Sequence, residues 1–396
     1  MSLNNTPNAD RVHIGIFGRR NAGKSSIINA ITGQELAIVS DTKGTTTDPV
    51  SKAMELLPLG PVVVIDTPGL DDSGTLGEMR IAKTYQVLNK TDIALLIVDS
   101  ETGMTDDDIN ILARIKDKKI PYLVVYNKSD LKEINGADEN AIAVSAKEKL
   151  NIEELKERIA HLVPDNKAEF PIIADKVQNG DCVVLVIPID SSAPKGRLIL
   201  PQQQTIRELL DCGCTVLACR DSELAQTLDS LKCPPKYVVT DSQVFGKISK
   251  IVPDDVCLTS FSILFARHKG NLAALIKGAN RIDELDDGDT VLISEGCTHH
   301  RQCGDIGTVK LPRFIGEYTG KKLSFEFTSG TEFPFDLSKY SLIVHCGGCM
   351  LNEREMKYRI KCAEDADVPI TNYGMTIAHT KGILKRSMRI FENDVI

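Results

Sequence analysis

The sequence lacks the features that insert a chain into a membrane or direct it to secretion. No apolar run approaches the roughly 20 residues that a membrane-spanning helix requires. The N-terminus has no basic region followed by an apolar run, so no secretory signal peptide is predicted. We therefore expect a cytoplasmic protein with no membrane partner.

Cysteine is absent from the first part of the chain, and the first of its eleven cysteines is Cys182. An odd number of cysteines in a cytoplasmic chain argues against a disulfide framework. Their confinement to the later part indicates metal chemistry there, or simply buried thiols. Positive charge is also in deficit, because the net charge is −8. A nucleic-acid-binding domain is usually basic, so we expect no nucleic-acid partner.

A chain of 396 residues is long enough for about two to three domains. From Val12 to about Pro164, short apolar runs alternate with helical patterns. Such alternation predicts an α/β domain with a mostly parallel sheet and helices on both faces. The predicted elements are the strands Val12–Phe17, Val62–Asp66, Ile93–Asp99 and Tyr122–Tyr126 and the helix Ser25–Thr32.

Two further α/β domains are predicted beyond the polar segment Asp165–Pro171. The Gly270-Asn271 pair favours a boundary between them. The predicted domains are therefore residues 1–165, 172–268 and 269–396. The predicted later elements are the strands Cys182–Pro188, Thr215–Cys219, Tyr237–Thr240, Thr290–Ser294 and Leu342–His345 and helices over Gln202–Leu210 and Asp241–Lys250.

The segment Gly18–Ser25 fits the phosphate-loop pattern G-x-x-x-x-G-K-S, directly after a predicted strand and before a predicted helix. Its backbone amides and the helix N-terminus would hold the phosphates. Lys24 would reach the β- and γ-phosphates, and the Ser25 hydroxyl would bind magnesium. The predicted nucleotide contacts of this loop are Gly18, Asn21, Ala22, Gly23, Lys24, Ser25 and Ser26.

Three further motifs follow in the order that a guanine-nucleotide site requires. Asp66-Thr-Pro-Gly69 closes a strand, so Asp66 can hold magnesium through water and the Gly69 amide can contact the γ-phosphate. Asn127-Lys128-Ser-Asp130 offers a carboxylate to the two donors on the guanine edge, which adenine does not have. Ser145-Ala146-Lys147 completes the guanine pocket. These motifs predict a GTPase that binds GTP and GDP.

The switch segment Gly44–Asp48 resembles the GTTxD form of the Era- and TrmE-like GTPases of tRNA modification and ribosome assembly. The resemblance implies that Thr46 binds magnesium, with Thr45 or Thr47 as alternatives. In potassium-activated members, an asparagine at the position of Asn21 helps to bind K⁺ beside the phosphates. The alternative is that Asn21 only supports a turn. Leu70 stands where Ras-like enzymes place a water-orienting glutamine, so either the catalytic group lies elsewhere or hydrolysis is slow.

A second constellation combines Cys297-Thr-His299 with His345-Cys346-Gly-Gly-Cys349. Three thiolates and one exchangeable ligand suit a 4Fe-4S cluster. Three thiolates and one imidazole would equally suit zinc. The C-x-x-C pair could also be a redox dithiol, although it lacks the expected strand-to-helix context.

This combination of GTPase and cysteine motifs resembles the FeFe-hydrogenase maturation GTPases, the HydF family, over the whole chain. The segment Pro188–Pro201 is similar to that family's middle, dimerisation domain. The resemblance implies Cys297, Cys346 and Cys349 as ligands of a 4Fe-4S cluster. For the labile fourth position His345 is the candidate, with His299 and Asp190 as weaker ones.

The resemblance also implies a homodimer that carries or assembles a diiron precursor for an apo FeFe-hydrogenase. Radical-SAM maturases would be further partners. Two alternatives are an RNA-linked GTPase of tRNA modification or ribosome assembly and a zinc-stabilised regulatory GTPase.

Overall fold

The chain divides into two compact units, residues 1–166 and 167–396. Its structure, a computed structural model, describes residues 11–33, 49–69, 84–132, 139–163, 170–189, 198–296, 305–330, 332–334, 336–348 and 351–392. Among these residues no helix is long and apolar enough to cross a membrane.

The first unit contains a six-stranded sheet of order β2-β3-β1-β4-β5-β6, in which only β2 pairs antiparallel with its neighbour. Its strands are β1 (Val12–Phe17), β2 (Val50–Leu56), β3 (Gly60–Asp66), β4 (Ile93–Asp99), β5 (Tyr122–Asn127) and β6 (Ala141–Ala143). Its helices are α1 (Lys24–Thr32), α2 (Asp106–Asp117) and α3 (Ile152–His161), and residues 84–89 are helical as well.

Successive residues of the central strands belong to two different cores. In β4, Ile93, Leu95 and Ile97 pack with α1 and α3, whereas the residues between them pack with α2 and residues 87–88. Because neighbouring side chains of a strand point to opposite faces, the sheet is covered by helices on both sides. The predicted α/β class with an N-terminal parallel-sheet domain is confirmed.

The second unit contains two four-stranded parallel sheets, of order β10-β9-β7-β8 and β12-β11-β13-β14. The first consists of β7 (Cys182–Val186), β8 (Thr215–Cys219), β9 (Tyr237–Thr240) and β10 (Cys257–Ser260). The second consists of β11 (Thr290–Ser294), β12 (Ser324–Thr328), β13 (Leu342–His345) and β14 (Ile370–Asn372). Its helices are α4 (Leu200–Asp211), α5 (Leu224–Asp229), α6 (Phe245–Ile248), α7 (Phe261–Lys269), α8 (Leu272–Asn280), α9 (Leu311–Thr319), α10 (Glu353–Asp365), α11 (Tyr373–Thr380) and α12 (Leu384–Ser387).

The two sheets of this unit share one hydrophobic core. Val184 and Val238 of the first sheet and Leu292 and Ile343 of the second belong to the same buried cluster, together with residues of α7 and α8. Only Gly270 and Asn271 separate α7 from α8. The predicted further α/β folds are confirmed, and the two sheets pack as one compact unit.

Several predicted elements coincide with the structure, including β1, β4, β8, β9, β11 and β13. The predicted helix over Asp241–Lys250 was wrong in length, because a 3₁₀ turn Ser242–Val244 precedes the single-turn helix Phe245–Ile248. The edge strands β2, β6, β10, β12 and β14 were not predicted. Strands β6, β10 and β14 are only three or four residues long, and β2 and β12 consist mostly of exposed or half-buried residues, so none carries the long apolar run of a central strand.

The start of the second unit is held by one carboxylate. Glu208 of α4 accepts hydrogen bonds from the backbone N–H groups of Ile172, Ile173 and Ala174, at 3.1, 2.8 and 2.7 Å. Removing it would leave these donors without that acceptor, at a cost of about 1–3 kcal/mol for each one that stays buried.

We expect Glu208→Ala to accelerate amide hydrogen exchange of residues 172–174 on the order of tenfold or more, because 1.4 kcal/mol corresponds to tenfold. Exchange would be followed by mass spectrometry of peptides. Asp211→Ala on the same helix, whose carboxylate makes only an exposed pair with Arg207, is the control and should change little. Unchanged exchange in Glu208→Ala would contradict the role of this carboxylate.

Candidate functional site

The carboxyl ends of the parallel strands of the first unit carry the four predicted nucleotide motifs. Gly18 follows β1, Asp66 ends β3, Asn127 ends β5 and Ser145 follows β6. Parallel strands end at the same edge of a sheet, which is where ligands of open α/β folds bind. The fold therefore brings together motifs that lie far apart in the sequence.

The phosphate loop depends on two glycines at close approaches. Gly18 has φ 140° and Gly23 φ 92°, both in the region that disfavours other residues. A Cβ on Gly18 would lie 2.3 Å from the carbonyl oxygen of Ile97, and one on Gly23 would lie 2.1 Å from Asn127 Nδ2. Because α1 begins at Lys24, directly after Gly23, the loop leads into a helix N-terminus suited to phosphate.

Lys24 lies folded over this loop. Its Nζ donates to the carbonyl oxygens of Gly18 and Arg19, at 2.9 and 2.8 Å. Phosphate oxygens are stronger acceptors than neutral carbonyls because they are charged. The phosphates of a bound nucleotide can therefore replace the two carbonyl oxygens as acceptors of the Lys24 ammonium.

Asp66 and Ser25 lie side by side, with Ser25 Oγ donating to Asp66 Oδ2 at 3.2 Å. Asp66 is only 7% exposed, and its Oδ1 has no hydrogen-bond partner in the described part of the chain. Burial raises the pKa of this carboxyl, and the Lys24 ammonium and the Ser25 hydroxyl only partly offset that effect. A buried carboxylate with an open oxygen beside a hydroxyl fits magnesium.

Asn127 connects three of the motifs. Its Nδ2 donates to the carbonyl oxygen of Ala22 in the phosphate loop, and its Oδ1 accepts the N–H of Ala146, both at 3.1 Å. Asn127 is 3% exposed, so both bonds are shielded from water. The phosphate loop and the guanine motifs therefore hold one another in position.

The other guanine-motif residues lie nearer the surface. Lys128 has φ 64°, and its Nζ lies 2.5 Å from Asp99 Oδ2 at the end of β4. Burial would raise the pKa of Asp99, but the Lys128 hydrogen bond and backbone N–H groups hold it below its ordinary value. Asp130 and Lys147 are exposed. Ser145 is fully buried, and its Oγ accepts the N–H of Glu148 at 3.1 Å.

The remaining predicted residues of this site are placed as follows. Asn21 is exposed with φ 63°, Ser26 and Gly69 are half-buried, and Thr46 lies outside the described residues. The sequence analysis missed Asp99 and also Arg19, whose Nη2 donates to Thr102 Oγ1 at 2.8 Å. Arg19 occupies a variable position of the phosphate loop, and Asp99 belongs to none of the four nucleotide motifs.

In the second unit, Cys346 of the predicted cysteine site lies at the carboxyl edge of the sheet β12-β11-β13-β14. Strands β11 and β13 are neighbours, with Ser294 opposite His345. The Gly296 and Gly348 N–H groups donate to Cys346 Sγ at 3.0 and 3.4 Å, and the Cys346 N–H donates to the Ser294 carbonyl at 2.9 Å. Backbone amides aimed at a sulfur are typical of a metal-bound thiolate.

Of the other predicted ligands, Cys297, His299, Cys349 and Asp190 lie outside the described residues. In the portion that the structure describes, no group of three or more His, Cys, Asp or Glu residues could hold a metal. Gly348 has φ 63°, and a Cβ there would meet Met356 Sδ at 2.6 Å. The second glycine of the C-x-x-C segment is thus required by its backbone and by its neighbour.

His345 is completely buried beside Cys346. Its Nδ1 lies 2.7 Å from the Cys346 carbonyl oxygen, and its Nε2 lies 2.9 Å from Arg359 Nη1. Burial, and then the charge of Arg359, lower the pKa of this imidazole to about 3. In this arrangement both ring nitrogens are occupied. The role of His345 as a cluster ligand stays a prediction, and it would require one of these bonds to break.

A buried, hydrogen-bonded pair of Glu295 and Tyr373, which the sequence did not reveal, lies close to Cys346. Glu295 is 3% exposed, and the Tyr373 hydroxyl donates to its Oε1 at 3.2 Å. Burial raises the pKa of Tyr373, and the nearby Cys346 and Glu295 raise it further. A Cβ on Gly307 would come within 2.5 Å of the two oxygens, so this glycine lets the helical turn Ile306–Lys310 approach them.

The geometry of the first unit defines a phosphate-loop GTPase domain, and the comparisons agree. Residues 13–128 match the family model described as 50S ribosome-binding GTPase. Residues 172–270 match the Hydrogen maturase F dimerization domain, and residues 273–390 match the Hydrogen maturase F tetramerization domain. The chain therefore belongs to the hydrogen maturase F family, the hydrogenase-maturation GTPases, and the predicted family and GTPase class are confirmed.

Curated relatives match mainly the GTPase part. The chain is 40% identical over 121 residues to the tRNA modification GTPase MnmE of Nitrosomonas europaea, covering 30% of this chain and 26% of that protein. It is 33% identical over 169 residues to MnmE of Dechloromonas aromatica, covering 41% and 37%. The match thus spans only about a quarter to two fifths of these relatives. Era of Aquifex aeolicus is similar at TM-score 0.35 and 20% identity, over 52% of this chain and 92% of that chain.

The close approach at Gly23 gives a test of the nucleotide site. We expect Gly23→Ala to weaken GDP binding more than about a hundredfold, because the new Cβ would displace Asn127 and the φ of 92° disfavours alanine. Affinity would be measured by titration with a fluorescent GDP analogue. Gly33→Ala at the other end of α1 is the control, since φ is also positive there but no atom of the described residues lies within 4 Å of the new Cβ. Equal losses in both variants would contradict this explanation.

Proposed function

We propose that the first unit binds GTP with Mg²⁺ and hydrolyses it slowly, with stimulation by K⁺. Bound magnesium would neutralise the charge that develops on the phosphates. The Ser25 hydroxyl, Asp66 through water, and Thr46 would hold the ion. Lys24 would bind the β- and γ-phosphates, and the Gly69 amide would contact the γ-phosphate. The buried Oδ1 of Asp66, which has no hydrogen-bond partner among the described residues, supports the magnesium assignment.

Guanine selection is proposed to rest on Asp130, with Asn127, Lys128, Ser145, Ala146 and Lys147 around it. The exposed Asp130 carboxylate is free to accept the two donors on the guanine edge. The bonds from Asn127 to Ala22 and from Ala146 to Asn127 join the base-binding and phosphate-binding motifs. Nucleotide binding would therefore depend on both motifs at once.

For the second unit we propose a 4Fe-4S cluster held by Cys297, Cys346 and Cys349. A cluster of this kind supplies an iron to which an incoming precursor can bind. The single observation that carries the proposal is the Cys346 sulfur, which receives two backbone N–H groups where β11 and β13 end. The chain enters the Cys297 segment from β11 and the Cys349 segment from β13, so both segments begin at this edge.

The whole protein is then proposed to be a GTPase and iron–sulfur scaffold or carrier that delivers the diiron subcluster to an apo FeFe-hydrogenase. Membership of the hydrogen maturase F family supports this assignment. Radical-SAM maturases would be further partners. Residues 172–268 would dimerise the chain, and residues 269–396 would hold the cluster. The matching models, described as dimerization and tetramerization domains, agree with an oligomer.

An RNA-linked role is less well supported, because the MnmE relatives match only the GTPase part of the chain. A zinc-stabilised regulatory GTPase is distinguished by the metal. Both alternatives would share the nucleotide site but predict no iron at Cys346.

We expect anaerobic reconstitution with iron and sulfide to give about four irons per chain and an S = 1/2 EPR signal after reduction. Cys346→Ser should remove the signal because it replaces one of three thiolates. Cys233→Ser, at an exposed free cysteine, is the matched control and should retain it. One tightly held zinc without iron would instead overturn the cluster assignment, and with it the hydrogenase role.

Replacing K⁺ by Na⁺ should slow GTP hydrolysis on the order of tenfold, because a cation beside the phosphates stabilises the developing charge. Glycine adopts the backbone conformation of Asn21 (φ 63°) readily but lacks the side-chain amide. The Asn21→Gly variant should therefore lose the K⁺ dependence. The control variant is Asn151→Gly, because Asn151 at the start of α3 also has a left-handed backbone conformation (φ 58°). Phosphate release would be measured in both salts. Equal rates for the unaltered protein would remove the K⁺ proposal.

A further inference from the structure

Arg359 of α10 is a completely buried arginine beneath the proposed cluster edge. Its Nε donates to Glu355 Oε1 at 2.8 Å, and its Nη2 donates to the Gly330 carbonyl oxygen at 2.9 Å. Its Nη1 donates to Ser294 Oγ at 3.2 Å and lies 2.9 Å from His345 Nε2. One guanidinium thus connects the ends of β11 and β13, the turn after β12 and its own helix.

A buried guanidinium destabilises a hydrophobic core relative to an apolar side chain of similar volume, unless its hydrogen bonds offset the cost of removing it from water. Moving a charge into the interior costs several kcal/mol, and replacing a buried ion pair by apolar residues of similar volume is often neutral or stabilising. Among the residues that the structure describes, Glu355 is the one carboxylate that forms an ion pair with Arg359. The other acceptors are neutral groups on three separate strands or their ends. Stability alone would be served by a residue such as methionine, so the donors of Arg359 have a positioning use.

The consequence falls on His345. A guanidinium has only donors, so Nε2 of His345 must accept the bond from Arg359. Its Nδ1 therefore carries the proton and donates to the Cys346 carbonyl oxygen. Histidine is the commonest metal ligand in proteins, and it binds through a nitrogen lone pair. The only lone pair of this neutral ring is already held by Arg359.

We propose that Arg359 is a positioning residue that holds the Nε2 lone pair of His345 and so withholds this histidine from metal coordination. The inference rests on the proposed cluster site. It assigns His345 to support of the Cys346 backbone through Nδ1–H. The sequence analysis expected His345 to fill the fourth position of the cluster. In this proposal, the buried contact with Arg359 prevents that.

The first test needs no cluster, so it separates this inference from the proposed function. In the metal-free full chain labelled with ¹⁵N-histidine, NMR should show His345 as the Nδ1–H tautomer with Nε2 unprotonated. The resonance would be assigned by its loss in His345→Gln. Glu355→Gln/Arg359→Met removes the donor without leaving a buried charge unpaired, and it should abolish that single tautomer. An Nε2–H tautomer in the unaltered protein would overturn the proposal.

The second test uses the reconstituted, reduced protein and pulsed EPR. The unaltered ¹⁵N-histidine protein should show no strong histidine coupling, whereas added ¹⁵N-imidazole should produce one by binding the open iron. In Glu355→Gln/Arg359→Met a histidine coupling should appear, and the additional His345→Gln change should remove it. A coupling from His345 in the unaltered protein, or none in a variant that folds by circular dichroism, would contradict the proposal.

The matched control lies on the same helix. Glu353 and Lys357 form an ion pair at the same i,i+4 spacing, with side chains 32% and 46% exposed. Glu353→Gln/Lys357→Met should leave both the His345 tautomer and the EPR spectrum unchanged. A change as large as that of the Arg359 variant would show that any loss of an α10 ion pair suffices, and would overturn the assignment to Arg359. If no cluster forms at all, the proposed function fails, and the NMR result still decides the inference.

Discussion

Parallel pairing of strands is the constraint on which the positions of the functional residues depend. A parallel strand can follow its neighbour only after a crossover that returns the chain to the other end of the sheet. Every parallel strand therefore ends at the same edge, and the side chains that follow it gather there. Gly18, Asp66, Asn127 and Ser145 meet in this way in the first unit. Gly296 and Cys346 meet in the same way in the second.

The two edges differ in the state of their polar groups. At the nucleotide edge, Asp66 keeps an oxygen without a partner among the described residues, and Lys24 holds carbonyl acceptors that a phosphate can displace. At the cysteine edge, both ring nitrogens of His345 and the guanidinium of Arg359 are already hydrogen-bonded to other groups of the chain. A site whose polar groups are not fully hydrogen-bonded can bind its ligand with little rearrangement. At a site whose polar groups are already hydrogen-bonded, those bonds determine which side chains can become ligands.

Close packing sets the tolerance of both sites. Gly23 lies against Asn127, Gly348 against Met356, and Gly307 against Glu295 and Tyr373. In each case the missing Cβ leaves room for a polar group or a sulfur of a neighbouring side chain, which would have to shift for a larger residue. Gly18 and Gly23 of the phosphate loop and Gly348 of the C-x-x-C segment thus serve close packing as well as turn conformation.

The sequence by itself determined the nucleotide class, the α/β fold and the membership of the family. These properties are encoded in local motifs and in the period of apolar residues, which need no knowledge of distant contacts. Only the tertiary structure decided the partners of those motifs. Lys128 pairs with Asp99 at a separation of 29 residues, and Arg359 reaches Ser294 across 65. A lone arginine within a helix looks like an exposed charge until the packing of three strands around it is known. For the same reason, the spacing of His345 and Cys346 suggested a ligand, whereas the structure places both nitrogens of that histidine in hydrogen bonds.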